Sequence, residues 1–162
     1  MELTTAVRLI KNGVIGKGLV GGTWVDLGAG SGLFTKALSS LLPKGSTIIA
    51  IDKKLPDIDE VNDIQVQRRA GDFTTMDFGN PDGALMANAL HYVKDQKTFI
   101  DSLSKKTGRL VIVEYDTDKG NQWVPYPISF NKLKSLYPGA EQIGHEPSQY
   151  HKEGMYSALI LF

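Results

Sequence analysis

Apolar and polar positions along this chain fall into alternating blocks of two kinds. Short, β-branched runs stand at Thr23–Leu27, Thr47–Ile51, Ile64–Arg68, Ala84–Asn88 and Arg109–Glu114. Most lack strict in–out alternation, the pattern of parallel strands covered on both faces. Segments of helical spacing separate them. Ser31–Leu42 sets Leu33, Phe34, Ala37, Leu38, Leu41 and Leu42 along one stripe, and Pro43 stops it. Asp95–Lys106 puts Phe99, Ile100 and Leu103 on one face, and residues 3–11 offer Leu3, Val7, Leu9 and Ile10 as a leading helix. Glycines at 13, 16, 18, 21 and 22 connect that helix loosely to the first strand.

Strands alternating with helices predict right-handed crossovers and an open, mostly parallel α/β sheet. Two crossovers are too short for full helices. Lys53–Asp63 carries Pro56 and four acidic residues, and Thr74–Pro81 leads into the turn Asn80-Pro81-Asp82-Gly83. The last third changes character. A helix is expected at Ser129–Tyr137, then two strands, Glu141–His145 and Met155–Phe162, the second apolar enough for a sheet interior. The 162 residues read as one domain. Within it, 1–22 form a leading helix and loop, 23–116 the strand–helix core, and 117–162 the closing part.

Composition narrows the function classes. Lys plus Arg and Asp plus Glu both number 18, so the basic excess of a nucleic-acid binder is missing. The absence of cysteine removes disulfides, thiolate metal sites and cysteine nucleophiles, and no metal is expected. No signal-peptide layout and no apolar run of ~18 residues is present, which gives the expectation of a cytoplasmic protein without a membrane span.

The chemistry concentrates at strand ends. Val25-Asp26-Leu27-Gly28-Ala29-Gly30-Ser31-Gly32 is a strand, a tight glycine turn and a helix start. Glycines allow positive φ and close ligand approach, and the helix start offers N–H groups and a positive dipole end. Asp52, with Lys53 after it, closes the second strand about 20 residues on, where an acid can hold ribose hydroxyls. Gly71, Asp72 and Phe73 follow the third strand, pairing a carboxylate with a ring that can stack on adenine. Asn88, Ala89, Leu90, His91 and Tyr92 follow the fourth. Ligands of open α/β sheets bind along this edge. The spacing G-x-G-x-G differs from the G-x-G-x-x-G of dinucleotide folds. An NAD(P)-dependent oxidoreductase is the alternative enzyme class, and a cofactor-binding module without catalysis the alternative to an enzyme.

On these motifs the chain resembles the class I S-adenosylmethionine-dependent methyltransferases over about residues 20–162. Asp26 through Gly32 is similar to the family's first motif, which cradles the methionine part of the cofactor. Asp52 stands in the place of the ribose-holding acid, Asp72 and Phe73 in the turn beside the adenine, and Asn88–His91 in the region facing the methyl group. The resemblance implies a Rossmann-like twisted sheet of about seven strands, with an antiparallel C-terminal strand and helices on both faces. It also implies S-adenosyl-L-methionine as cofactor and methylation as activity. The short crossover after Asp52 departs from the fuller family pattern and marks a compact member.

Alignment of nucleophile and methyl is then the protein's main task, with a base needed only for a protonated nucleophile. His91 is the candidate base. Glu114, Tyr115 and Asp116 end the fifth strand on the substrate side, and Trp123, Tyr126, Tyr150 and His151 are candidates for an aromatic wall. The Asn/Asp-Pro-Pro-Tyr/Phe signature of amino-group methylation of adenine or glutamine is not present at Asn88–Tyr92. C5 pyrimidine methylation lacks its cysteine, and the Lys-Asp-Lys-Glu set of ribose methyltransferases finds no place on the strand ends. A small-molecule or protein acceptor is left.

Overall fold

Seven strands make one sheet in the order β3-β2-β1-β4-β5-β7-β6. They are β1 (Thr23–Leu27), β2 (Thr47–Asp52), β3 (Gln65–Ala70), β4 (Gly83–Ala87), β5 (Arg109–Tyr115), β6 (Glu141–Glu146) and β7 (Met155–Leu161). The structure, a computed structural model, describes residues 1–16, 21–55, 57, 58, 61 and 63–162. Gly18 of the expected loop and Pro56, Asp59 and Glu60 of the expected short crossover lie outside them. The first five strands run parallel, and β7 runs antiparallel to both β5 and β6. From β1 the chain builds outward to β2 and β3, then returns to place β4 on the other flank. The order therefore reverses between β1 and β4, and such a reversal opens a crevice at the strand carboxyl ends.

Helices cover both faces. On one, α1 (Leu3–Ile10) and α2 (Leu33–Ser39) pack Leu9, Ile10, Phe34 and Leu38 against Trp24, Ile48, Leu85 and Val111. On the other, α3 (Gln96–Leu103) and α4 (Phe130–Leu136) pack Phe99, Ile100, Leu103 and Leu133 into a cluster with Val25, Ile49, Met86 and Ile112. Strand residues of alternate parity feed the two layers, as the pleat requires. Asp95 and Ser129 cap α3 and α4, accepting the N–H groups of Thr98 and Lys132, each cap worth roughly 1 kcal/mol.

Two differences from the sequence reading have local causes. The helix expected over Ser31–Leu42 is confined to Leu33–Ser39. Gly30 and Gly32 hold φ of 52° and 82° and keep the chain out of the helix, while Leu41 closes a tighter turn onto the Leu38 carbonyl. The third strand, expected under cover, is an edge strand with Gln65, Gln67, Arg68 and Ala70 exposed. Neither crossover flanking it forms a helix among the described residues, so nothing of that kind shields it. The closing strand β7 is interior, as expected. No helix among the described residues is long and apolar enough to cross a membrane.

Candidate functional site

The glycine turn after β1 is stitched to the end of β2. Gly28 and Ala29 both donate to the Ile51 carbonyl, at 2.9 and 3.0 Å, and Gly30 donates to Oδ2 of Asp52 at 2.9 Å. Gly32 donates back to the Ala29 carbonyl at 2.8 Å. These amides are therefore engaged by the protein itself, unlike a cradle of free N–H groups. Gly28, with φ of 82°, sits at the β1–β4 reversal, and a Cβ there would lie 2.5 Å from Cβ of Ala89. A Cβ on Gly30 would meet nothing within 4 Å. Open space begins at Gly30.

That space is a cavity of about 600 Å³ along the carboxyl ends of the parallel strands, within the usual range for small-ligand sites. Gly28, Ala29 and Gly30 form its floor, Asp52 and Lys53 the end of β2, and Asp72, Phe73 and Thr74 the turn after β3. Asn88, Ala89, Tyr92 and Val93 close it beyond β4. Oδ1 of Asp72 accepts the Thr74 hydroxyl at 2.6 Å and the Thr74 N–H at 2.9 Å. Those bonds hold the Asp72 carboxyl below its ordinary range, with Lys53 adding to the effect. Asn88 has φ of 53° and donates its N–H to the Val113 carbonyl at 2.8 Å. Its Oδ1 is buried without a hydrogen-bond partner among the described residues. A buried, unmatched acceptor costs about 1–3 kcal/mol.

Four predicted site residues stand off the wall: Asp26, Gly32, Gly71 and His91. Asp26 is fully buried on the α2 side of β1, where Oδ2 accepts the Thr35 hydroxyl at 2.6 Å and Oδ1 has no partner among the described residues. Burial pushes its carboxyl up to about 7; the Thr35 bond opposes this and the Asp52 charge reinforces it. Gly32 leaves room for Ile58 and Gly71 for the Met76 methyl, each where a Cβ would collide. These residues shape the turns that carry the wall.

His91 lies on the 3₁₀ turn Leu90–Tyr92, with its side chain only 3% exposed. Nδ1 is 2.7 Å from Oε2 of Glu114, and the His91 N–H donates to Oε1 of the same carboxylate at 3.1 Å. Glu114 is fully buried at the end of β5. A carboxylate at Nδ1 sets the tautomer with the proton on that nitrogen and a lone pair on Nε2. No hydrogen bond to Nε2 is formed among the described residues, and the ring lies beside Tyr92 of the cavity wall. The rings of Tyr92 and Tyr115 lie 4.3 and 6.2 Å from the imidazole, and His151 lies 4.4 Å from Tyr115. Tyr150 and Trp123 are largely exposed, and Tyr126 supports the turn by donating its N–H to the His91 carbonyl at 3.0 Å.

Sequence reasoning did not single out Ser31, Leu33, Phe34, Thr74, Ala87, Tyr92 and Val93 as wall residues. Leu33 and Phe34 were legible only as part of a helix stripe. Tyr92 carried a signal, since it stands next to His91 in the same strand-end run. The tie between His91 and Glu114 could be found only by knowing that β4 and β5 are neighbours.

A family model described as a methyltransferase domain matches residues 25–112, more than half of the chain. No curated protein sequence matches it significantly. Among solved structures, a cyclopropane-fatty-acyl-phospholipid synthase-like protein from Lactobacillus casei ATCC 334 superposes with a TM-score of 0.71 at 10% identity, covering 99% of this chain and 90% of that one. The N-methyltransferase NodS from Bradyrhizobium japonicum WM9, solved with S-adenosyl-L-homocysteine, gives 0.62 at 18% identity, with 85% and 76% covered. WbdD gives 0.67 at 20% identity over 86% of this chain, which spans only 31% of that protein. At these identities the structural likeness is one of fold.

Proposed function

The chain belongs to the class I S-adenosylmethionine-dependent methyltransferase family, and we propose that it transfers the methyl group in line to a small-molecule or protein acceptor beside Tyr92. The observation that carries this reading is the convergence on one cavity of the glycine turn, two strand-end carboxylates and the Phe73 ring. The residues fit the cofactor. Asp52 suits ribose hydroxyls, Asp72 and Phe73 suit the adenine, and the open side of Gly30 admits a ligand against backbone. Acids around the cavity favour a cationic ligand. A dinucleotide's pyrophosphate would meet those acids and a loop whose amides at Gly28, Ala29, Gly30 and Gly32 are already used.

Bound there, S-adenosylmethionine supplies a methyl group activated by a sulfonium. The chain's own residues bind, orient and move a proton. The floor and the two carboxylates fix the cofactor, and alignment of this kind supplies on the order of 7–11 kcal/mol of barrier lowering. His91, its Nδ1–H held by Glu114, offers Nε2 as the proton acceptor, a role worth roughly 10²–10⁴ in rate.

Titration calorimetry with S-adenosylhomocysteine tests the cofactor assignment. Native protein should bind, Gly30→Asp should abolish binding by filling the open side of the turn, and Asp52→Ala should weaken it roughly 10–100-fold. Undiminished binding by both variants would refute it. Binding without methylated product, across small-molecule and protein acceptors, would leave a cofactor-binding module instead of an enzyme.

A further inference from the structure

We propose that Asp26, buried two residues before the glycine turn, senses the charge of the bound cofactor: it gives up a proton when the sulfonium form binds and regains it when that charge is gone. The inference rests on the cofactor reading above and adds a proton linkage to the same site.

The surroundings of Asp26 come first. It stands in the sheet between Ala50 of β2 and Leu85 of β4, both fully buried. Its side chain, also fully buried, accepts only the Thr35 hydroxyl, and Oδ1 has no partner among the described residues. No cation compensates it. β4 (Gly83–Ala87) carries no titratable residue, Lys36 on α2 is exposed, and Arg8 on α1 is paired with Glu146. The charge that does reach Asp26 is that of Asp52 at the end of β2, and it is of the same sign. One neutral donor compensates a buried charge poorly. The carboxyl is accordingly raised from 3.8 to about 7.

Asp52 also lines the cavity. Asp26 thus already feels a charge placed on the cavity wall, and a cation bound against that wall acts on it with the opposite sign. The two forms of the cofactor differ in just this charge. With ammonium and carboxylate in balance, S-adenosylmethionine carries one net positive charge on its sulfonium. When the methyl group leaves, the pair of the broken C–S bond stays on sulfur, and S-adenosylhomocysteine is neutral. A positive charge favours an ionised acid. Asp26 therefore releases its proton to water on binding the methyl donor and takes one from water once the product occupies the site.

The sign follows from the free protein, which holds Asp26 protonated below about pH 7. Donor binding must expel that proton at low pH and need not at high pH, so donor affinity rises with pH while product affinity does not follow. For a shift of about one unit, the small end of what an opposite charge causes, the donor-to-product affinity ratio rises about fivefold from pH 5 to pH 7.

Titration calorimetry of the full chain with S-adenosylmethionine and S-adenosylhomocysteine, in buffers of different ionisation enthalpy, reads affinity and protons together. The two ligands share their amino-acid and adenosine ends, so the ratio of affinities isolates the sulfonium. Native protein should show the fivefold rise, with roughly half a proton released at pH 6.5 on binding the donor only. Asp26→Asn, which cannot ionise, should bind S-adenosylhomocysteine with a flat ratio and no proton release. Thr35→Val keeps the acid and strips its donor, so it should move the release to higher pH, and it carries the test if Asp26→Asn does not fold. A flat ratio in native protein, a rise that persists in Asp26→Asn, or a release that Thr35→Val leaves unmoved overturns the linkage, and the cofactor reading stands. Failure of native protein to bind either ligand removes both.

Discussion

Two fully buried carboxylates sit near the carboxyl ends of β1 and β5, the strands that flank β4, and the protein treats them in opposite ways. Asp26 projects from β1 toward α2 and meets one neutral donor, the Thr35 hydroxyl, leaving Oδ1 unmatched. Glu114 projects from β5 toward the α3–α4 layer, and both of its oxygens are taken by His91, one through the ring and one through the backbone. A lone hydroxyl compensates burial poorly, so Asp26 is driven toward its protonated form. Glu114 instead has a ring nitrogen on one oxygen and an amide on the other, so neither is left unmatched. Burial alone does not decide what a carboxylate does. Its partners do, and here they make one acid a helix anchor and the other a holder for a base.

The sharpest break of the contrast is Glu114→Ala. It strips both partners from His91 at once, leaving a ring nitrogen and an amide unmatched, and should destabilise the fold by about 3–5 kcal/mol. Urea denaturation with a far-ultraviolet signal measures this, and a loss below 1 kcal/mol would mean that the pair carries little.

A smaller effect separates the two acids by pH. The Asp26 carboxyl is raised from an ordinary 3.8 to about 7 in the folded protein, so between those values the folded state holds more proton than the unfolded chain. Its stabilising contribution is whole below the lower value, falls as pH rises through the window, and is lost above the upper one. The slope is at most about 1.4 kcal/mol per pH unit. Asp26→Asn, which cannot ionise, should flatten that slope and match or exceed native stability at pH 8. Denaturation midpoints at pH 5 and pH 8 for both proteins read it out, and parallel curves would contradict it.

Thr35→Val probes the same anchor more gently. It keeps shape and removes the one donor on Asp26, so it should cost about 1–3 kcal/mol at pH 8. The cost should shrink toward pH 5 as Asp26 takes up its proton. The change leaves His91 and Glu114 untouched, so methyl transfer per folded molecule should fall less than it does for Glu114→Gln. Glu114→Gln should show the reverse pattern, with activity falling more than stability.

Legibility followed sequence distance. That Gly28, Ala29, Gly30, Asp52, Asp72 and Asn88 share one cavity was readable because each closes or follows a strand, and parallel strands bring their carboxyl ends to one edge. Asp26 precedes the glycines in the same motif and looked like a ligand contact, but the pleat turns it toward α2. The third strand looked like its covered neighbours, although at the sheet edge, with no helix formed beside it by the described residues, it stays open. His91 was readable as a polar residue after a strand. Its dependence on Glu114, 23 residues away, was not.

The order of apolar runs and glycine turns, by itself, determined a mostly parallel sheet with a ligand edge and a methyltransferase motif on it. Those features are local, being written in period, φ and spacing. The tertiary structure alone decided which acid is anchored to a hydroxyl and which to an imidazole. It also decided that Tyr92, Tyr115 and His151 stand in one row. Strand order and pleat parity bring such groups together across the sheet, and neither is encoded at any single position.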